Sequence, residues 1–135
     1  MRYFADAPVT LERIKDMLKA VDPAFKIDGG EVIRDGEVLG ELEINRPGSD
    51  MFADEISGML ARLERTSAPA TPAVVGRIQA AQAVLGFQVI DGARTPDATM
   101  QLLGPLWSVL QSLASGLWQI EGQGFYEAGQ LVVPL

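Results

Sequence analysis

The chain contains no cysteine and no histidine. Without cysteine it can form neither a disulfide nor a thiolate metal site. Without histidine it lacks the commonest general base and the commonest metal ligand of proteins. A serine or threonine nucleophile would then need a lysine partner, and no S-x-x-K motif is present. We therefore expect no cofactor and no metal, and we favour a non-enzymatic protein over an enzyme.

Positive charge is also scarce. Eleven basic against 18 acidic side chains give a net charge of −7, and a nucleic-acid-binding surface would need the opposite balance. The second half is nearly uncharged, with Arg77 and Arg94 as its only basic residues. No segment reaches the ~18 apolar residues of a membrane span, and the N-terminus lacks the apolar region of a signal peptide. We expect a cytoplasmic protein with no nucleic-acid or membrane partner.

Residues 25–42 and 118–135 resemble one another. They read FKIDGGEVIRDGEVLGEL and WQIEGQGFYEAGQLVVPL and align without a gap. The similarity predicts a duplicated supersecondary unit. Two unrelated hairpins are the alternative, because glycine turns between alternating strands are common. The identical pairs are Ile27 and Ile120, Gly29 and Gly122, Gly36 and Gly129, and Leu42 and Leu135.

The apolar periodicity predicts strands and helices in a repeating order. A strand over 2–7 precedes a helix capped by Thr10, and strands with a tight Asp35-Gly36 turn follow up to Asn45. A second helix, a linker at 67–73 and a short third helix come next. After a strand at 83–90 and a turn at 91–94, a helix over 96–115 is divided at Gly104-Pro105. The C-terminal strands end the chain.

This order predicts an α+β fold formed by tandem βαββ repeats. Residues 1–135 form one domain, with the first repeat at 1–46, connecting helices at 47–82 and the second repeat at 83–135. We expect a largely antiparallel sheet with the helices packed on one face. A pseudo-twofold axis would relate the two repeats.

In outline, the order is similar to the strand-helix-strand-strand repeats of the gyrase-inhibitor-like effector-binding proteins. That resemblance implies a ligand cleft between the repeats. The order is also distantly similar to the βαβββ modules of the glyoxalase and dioxygenase superfamily, which would imply a metal site. The histidine ligands typical of that superfamily are absent. Both resemblances concern topology, and topology does not determine function.

Acidic side chains are concentrated on the first hairpin unit. The alternation of its last strand predicts that Glu37, Glu41 and Glu43 share one face. Such a face could bind a basic partner or a hard cation. A solvated face that discourages strand-to-strand aggregation is the alternative. No calcium-loop motif is present.

Two further groups of residues are candidates for binding. Arg46 and Ser49 precede a helix N-terminus, where anions bind, although ordinary turn and cap chemistry explains them as well. The second group comprises the large aromatic residues of the second half, which could line a cleft between the repeats or form core. These are Trp107, Trp118, Phe125 and Tyr126.

Two functional hypotheses follow. The first is a small acidic interaction or regulatory protein, similar to a toxin-neutralising protein, that binds a protein partner such as a basic one. The alternative is a small-molecule binding domain with its cleft between the repeats. We also expect a homodimer that forms through the uncharged helix at 96–115 or through the C-terminal strand.

Overall fold

A computed structural model describes residues 1–90, 92 and 94–135. The turn predicted at 91–94 contains Asp91 and Ala93, which lie outside the described residues. The described strands form one open antiparallel sheet in the order β2-β3-β4-β5-β1-β6-β7-β8. Together with the helices this confirms the α+β class. The strands are β1 (Arg2–Ala5), β2 (Phe25–Asp28), β3 (Glu31–Arg34), β4 (Glu37–Asn45), β5 (Ala83–Val89), β6 (Gly116–Ile120), β7 (Gly124–Glu127) and β8 (Gln130–Pro134).

Three of the five described helices begin where the sequence places caps, whereas α3 begins at Thr71, the residue expected to cap it, after Ala70 and without a side-chain cap. The hydroxyls of Thr10, Ser49 and Thr95 each accept a hydrogen bond from the N–H three residues further on. The predicted division at Gly104-Pro105 is confirmed, because α4 ends at Leu102 and α5 begins at Gly104. The helix is interrupted there because proline has no N–H to donate to the preceding turn. None of the helices in the described part of the chain is long and apolar enough to span a bilayer. The helices are α1 (Leu11–Val21), α2 (Asp50–Leu63), α3 (Thr71–Gln79), α4 (Pro96–Leu102) and α5 (Gly104–Leu113).

Both faces of the sheet are covered by helices. Tyr3 and Ala5 of β1 point into a core with α1, α4 and α5, whereas Phe4 points the other way, into a core with α2 and α3. We call these the α1 face and the α2 face. The prediction of helices on one face is therefore wrong. The central strands bury alternate side chains on both sides, and the connecting helices α2 and α3 supply the second layer.

Each helical layer covers only part of its face. All buried side chains of β2, β3 and β4 point to the α1 face, and all those of β6, β7 and β8 point to the α2 face. The α2 face of β2–β4 and the α1 face of β6–β8 consequently have no buried side chains. We call these surfaces the open β2–β4 half and the open β6–β8 half.

The two similar segments form hairpins of matching geometry. The turns at Asp35-Gly36 and Ala128-Gly129 have φ angles of 50° and 78°, and of 49° and 78°. Positive φ at both positions is the type I′ turn predicted for the first hairpin. A β-bulge shifts the register at equivalent positions, beside Val32 in one hairpin and beside Phe125 in the other.

The two three-stranded units, β2–β4 and β6–β8, differ in the loop before the hairpin and in the order of their strands. Asp28 pairs with Glu31, whereas Ile120 pairs with Gly124, so the second loop is one residue longer. From the centre outwards the units run β4-β3-β2 and β6-β7-β8. A twofold axis between β1 and β5 would match β2 to β8, whereas the alignment matches β2 to β6. The pseudo-twofold is not confirmed, and each unit has three strands after its helix rather than the two of a βαββ repeat.

Gly40 allows β4 to pack closely against β5. A Cβ atom at Gly40 would lie 2.4 Å from the Phe87 ring and 2.5 Å from the carbonyl oxygen of Gln88. We expect Gly40→Ala to lower the free energy of unfolding by about 1–3 kcal/mol, because the ring and strand must move. Urea unfolding followed by tryptophan fluorescence measures the change.

Gly58→Ala is the matched control for this substitution. Gly58 lies in α2, where an added Cβ meets nothing within 4 Å. The change should raise the free energy of unfolding by about 1 kcal/mol through helix propensity. Two alanine variants of equal stability would contradict the packing described at Gly40.

Candidate functional site

Carboxylates form a row across the open β2–β4 half. The pairing register places Asp28 opposite Glu31, and Glu31 opposite Glu41. Glu43 lies two residues beyond Glu41 on the same side of β4. Directly opposed side chains have Cβ atoms only ~4.5–5.5 Å apart, so Glu31 is a close neighbour of both Asp28 and Glu41. We call these four exposed residues the acidic face.

Glu37 does not belong to the acidic face. It pairs with Arg34, whose guanidinium lies 5.7 Å from the Phe25 ring on the α1 face. The bulge at Leu39 interrupts the alternation of β4 and turns Glu37 away from Glu41. The prediction that Glu37 shares a face with Glu41 and Glu43 is therefore wrong. Glu37 instead forms an ion pair with Arg94, whose hydrogen bond holds the pKa of this carboxyl below its usual range.

The ion pairs of the described residues leave the acidic face uncompensated. No carboxylate of this face has an arginine or lysine partner among the described residues, and Lys26 is the only basic side chain on the same surface. Nor do three acidic side chains converge there closely enough to hold a metal ion. The described ion pairs are those of Arg2 with Glu55 and Glu121, Arg34 with Asp22 and Asp35, Arg62 with Glu121, Arg77 with Asp6 and Glu127, and Arg94 with Glu37.

Apolar side chains lie beside the acidic face. Ile33 and Val38 are opposite one another on the same surface, and both are partly exposed. Ile90 continues the alternation of β5 next to them. Its N–H donates to Leu39 O at 3.2 Å, and its side chain is 40% exposed. The open β2–β4 half therefore combines negative charge with a short apolar strip.

Three of the four candidate aromatic residues come together on the α1 face. The ring centroids of Trp118 and Tyr3 are 4.3 Å apart, and those of Trp118 and Trp107 are 5.5 Å apart with an edge-on orientation. Tyr126 is opposite Trp118 in the register. Phe125, in contrast, is fully buried on the α2 face, 6.0 Å from Phe4. Phe125 is therefore a core residue, whereas Trp107 and Trp118 pack partly buried against the core of the α1 face. Tyr126 is partly exposed beside Trp118, at the border of the open β6–β8 half.

The two surfaces predicted for a homodimer differ in the structure. The apolar stripe of α5 is buried in the core of the α1 face and contacts α1. The C-terminal strand β8, in contrast, is accessible, because it is a free edge of the sheet and its Leu131 side chain is 45% exposed. Dimerisation stays a prediction, and β8 is the surface that remains accessible for it.

Arg46 and Ser49 are neighbours, as the sequence predicts. The hydroxyl of Ser49 accepts from the N–H of Phe52 at 3.1 Å and donates to Arg46 O at 3.0 Å. Ser49 is therefore occupied in capping α2. Both residues line a cavity of ≈ 410 Å³ together with Leu11, Leu42, Ile44 and Asn45.

A network of ion pairs that sequence reasoning missed joins α2 to the sheet. Arg2 contacts Glu55 at 2.5 Å, Gln119 at 3.2 Å and Glu121 at 3.4 Å. Gln119 is fully buried. Hydrogen bonds from the Gln119 amide, which has the larger effect, and from Arg62 hold the pKa of Glu121 below its usual range. The participating residues are up to 119 positions apart, so no local pattern could have indicated them.

The junction between the two units is occupied by this network. The cavity beside Arg2 measures ≈ 310 Å³, and its other lining residues belong to α2. Its walls carry charged and methionine side chains such as Asp54 and Met59 rather than aromatic rings. The aromatic cleft predicted between the repeats therefore does not coincide with this cavity.

Comparison with known proteins adds no functional assignment: no protein-family model, no curated protein and no solved structure shows a significant match to the chain.

Tyr3→Phe tests the centre of the aromatic cluster. The buried Tyr3 hydroxyl donates to Ala114 O at 2.6 Å, and its loss leaves that carbonyl unpaired, which should cost about 1–2 kcal/mol. Burial, and then the charge of Asp6, raises the pKa of Tyr3 to about 12. The contribution of this hydroxyl to the free energy of unfolding is present below the ordinary tyrosine pKa of ~10. It is lost as the pH rises towards 12, because Tyr3 ionises at lower pH in the unfolded chain than in the folded protein.

The wild type should therefore lose more thermal stability than Tyr3→Phe between about pH 10 and pH 12. Thermal unfolding followed by circular dichroism measures this difference. Parallel losses in both proteins would contradict the assignment of this pH dependence to Tyr3.

Glu41→Gln tests the repulsion within the acidic face. Glu41 is directly opposite Glu31, and like charges in that position lower stability. Removing one charge should raise the free energy of unfolding by about 0.2–1 kcal/mol. The gain should shrink when salt screens the charges. Asp16→Asn, at an exposed position in the middle of α1 without a described ion pair, is the control with the same charge change. A larger gain in the control would disprove repulsion at Glu41.

Proposed function

We propose that the protein is a non-enzymatic, cytoplasmic interaction domain that binds a basic protein partner through the acidic face. The row of Asp28, Glu31 and Glu41 on adjacent strands carries this proposal. Opposed carboxylates reduce the stability of a sheet. Lysine or arginine side chains of a partner would relieve this repulsion on binding. Relief of the repulsion would then make the free energy of association more favourable.

The surroundings of the row support a protein partner rather than a free cation. Ile33, Val38 and Ile90 give the same surface an apolar strip, and protein interfaces combine an apolar centre with a polar rim. The net charge of −7 also favours the approach of a basic protein from a distance. A partner with alternating basic and apolar residues fits both features.

We propose further that the two hairpin units are a duplication in which only the first copy kept this role. Matching turns and bulges support a common origin. The positions aligned with Glu31 and Glu41 are Gly124 and Pro134, so the second copy has no corresponding row.

Charge reversal of the acidic face tests the interaction. Glu41→Lys with Glu43→Lys should lower the recovery of a basic partner from a host lysate by about tenfold or more, because attraction becomes repulsion. Immobilised wild type and variant are compared by quantitative mass spectrometry of the retained proteins. Recovery by the wild type should fall when salt is raised from about 50 to 500 mM.

A matched control separates the site from net charge. Asp16→Lys with Glu64→Lys changes the total charge equally. Asp16 is exposed on α1, Glu64 is exposed directly after α2, and neither has a described ion pair. This control should retain the partner. Equal recovery by all three proteins, or equal loss in both variants, would disprove binding at the acidic face.

A further inference from the structure

A cavity of ≈ 510 Å³ lies where the end of α2 meets the end of β8. This volume is within the range of small-molecule sites, ~300–1,000 Å³. The cavity lies at the opposite end of the sheet from the acidic face. It is lined by Arg62, Arg65, Thr66, Ser67, Ala68, Pro134 and Leu135.

Two guanidinium groups give this cavity positive charge. Arg65 is exposed and has no ion pair among the described residues. Arg62 contacts Glu121 through Nη1 only, so its other N–H donors remain available. Arginine binds carboxylates and phosphates through paired hydrogen bonds.

Three of the last four carbonyl oxygens of α2 are hydrogen-bonded within the chain and are not free to counteract this charge. Leu60 O and Arg62 O accept hydrogen bonds from the backbone N–H groups that follow the helix. Leu63 O accepts from both the N–H and the hydroxyl of Thr66, at 3.1 and 3.0 Å. These three carbonyl groups of the last turn are therefore satisfied within the chain.

The side chains of the opposite wall of the cavity are apolar. Ala68 and Leu135 are partly buried against the core of the α2 face, and Pro134 ends β8 beside them. Ser67 is exposed at the rim, where its hydroxyl can donate to a ligand. A ligand that matches this lining has an anionic group at one end and an apolar body at the other.

We propose that the cavity binds a small organic anion, namely a phosphate or carboxylate group attached to an apolar body. Arg62 and Arg65 hold the anionic group, and Ala68, Pro134 and Leu135 contact the body. This site shares no residue with the acidic face, so the experiments can disprove one of the two proposals without affecting the other.

Titrations of the full chain followed by amide NMR test the site. Phenyl phosphate and benzoate are the two probes, and they distinguish a phosphate group from a carboxylate. At least one should cause saturable shifts at Thr66, Ser67 and Ala68. Inorganic phosphate, which lacks the apolar body, and phenol, which lacks the charge, should each bind about tenfold more weakly.

Two variants locate the binding energy. Arg65→Gln should weaken the better probe about tenfold, through loss of a charge-assisted hydrogen bond. Ser67→Asp should abolish binding, because it places a negative charge at the rim. Arg13→Gln is the control, since Arg13 is exposed on α1 and its loss changes the net charge equally. Weakening by Arg13→Gln equal to that by Arg65→Gln would overturn the proposal, as would absence of saturable shifts up to about 10 mM of both probes.

Discussion

The pairing of β5 with β1 at the centre of the sheet is the constraint on which the rest of the structure depends. Phe4 and Val84 point into one core, while Tyr3 and Leu85 point into the other. A strand pair that is buried on both faces requires helices on both sides. Each outer group of three strands then needs only one helical layer, and its other face can remain exposed. The two open halves follow from this arrangement.

Single-residue irregularities decide which side chains these open halves present. The bulge at Leu39 turns Glu37 to the α1 face and leaves Glu41 on the α2 face. The longer loop before Gly124 places Phe125 in the core of the α2 face, although the aligned Val32 is buried on the α1 face. A one-residue shift exchanges the two faces of a strand. Two similar sequences can thus present surfaces of different chemistry.

Local features of the fold could be predicted from the sequence, and long-range ones could not. The type I′ turn at Asp35-Gly36, the caps of α1 and α2 and the division at Gly104 each depend on a few adjacent residues. Strand order, the second helical layer and the Arg2 network depend on contacts between distant segments. The same holds for the candidate site. Its acidity could be predicted from the composition, whereas the position of Glu31 opposite Glu41 is known only from the pairing register of β3 and β4.

The distribution of charge distinguishes the acidic face from the other charged surfaces of the described chain. Elsewhere in the described chain, five of the eight arginines pair with carboxylates, and Arg77 in this way connects separate elements through Asp6 and Glu127. Exposed pairs of this kind contribute little individually, but they leave few like charges in contact. The acidic face departs from this pattern, since three neighbouring strands each contribute a carboxylate to one row. Repulsion between opposed carboxylates would favour a neutral or basic residue at one of these positions, and this observation is the one from which the proposed binding role is argued.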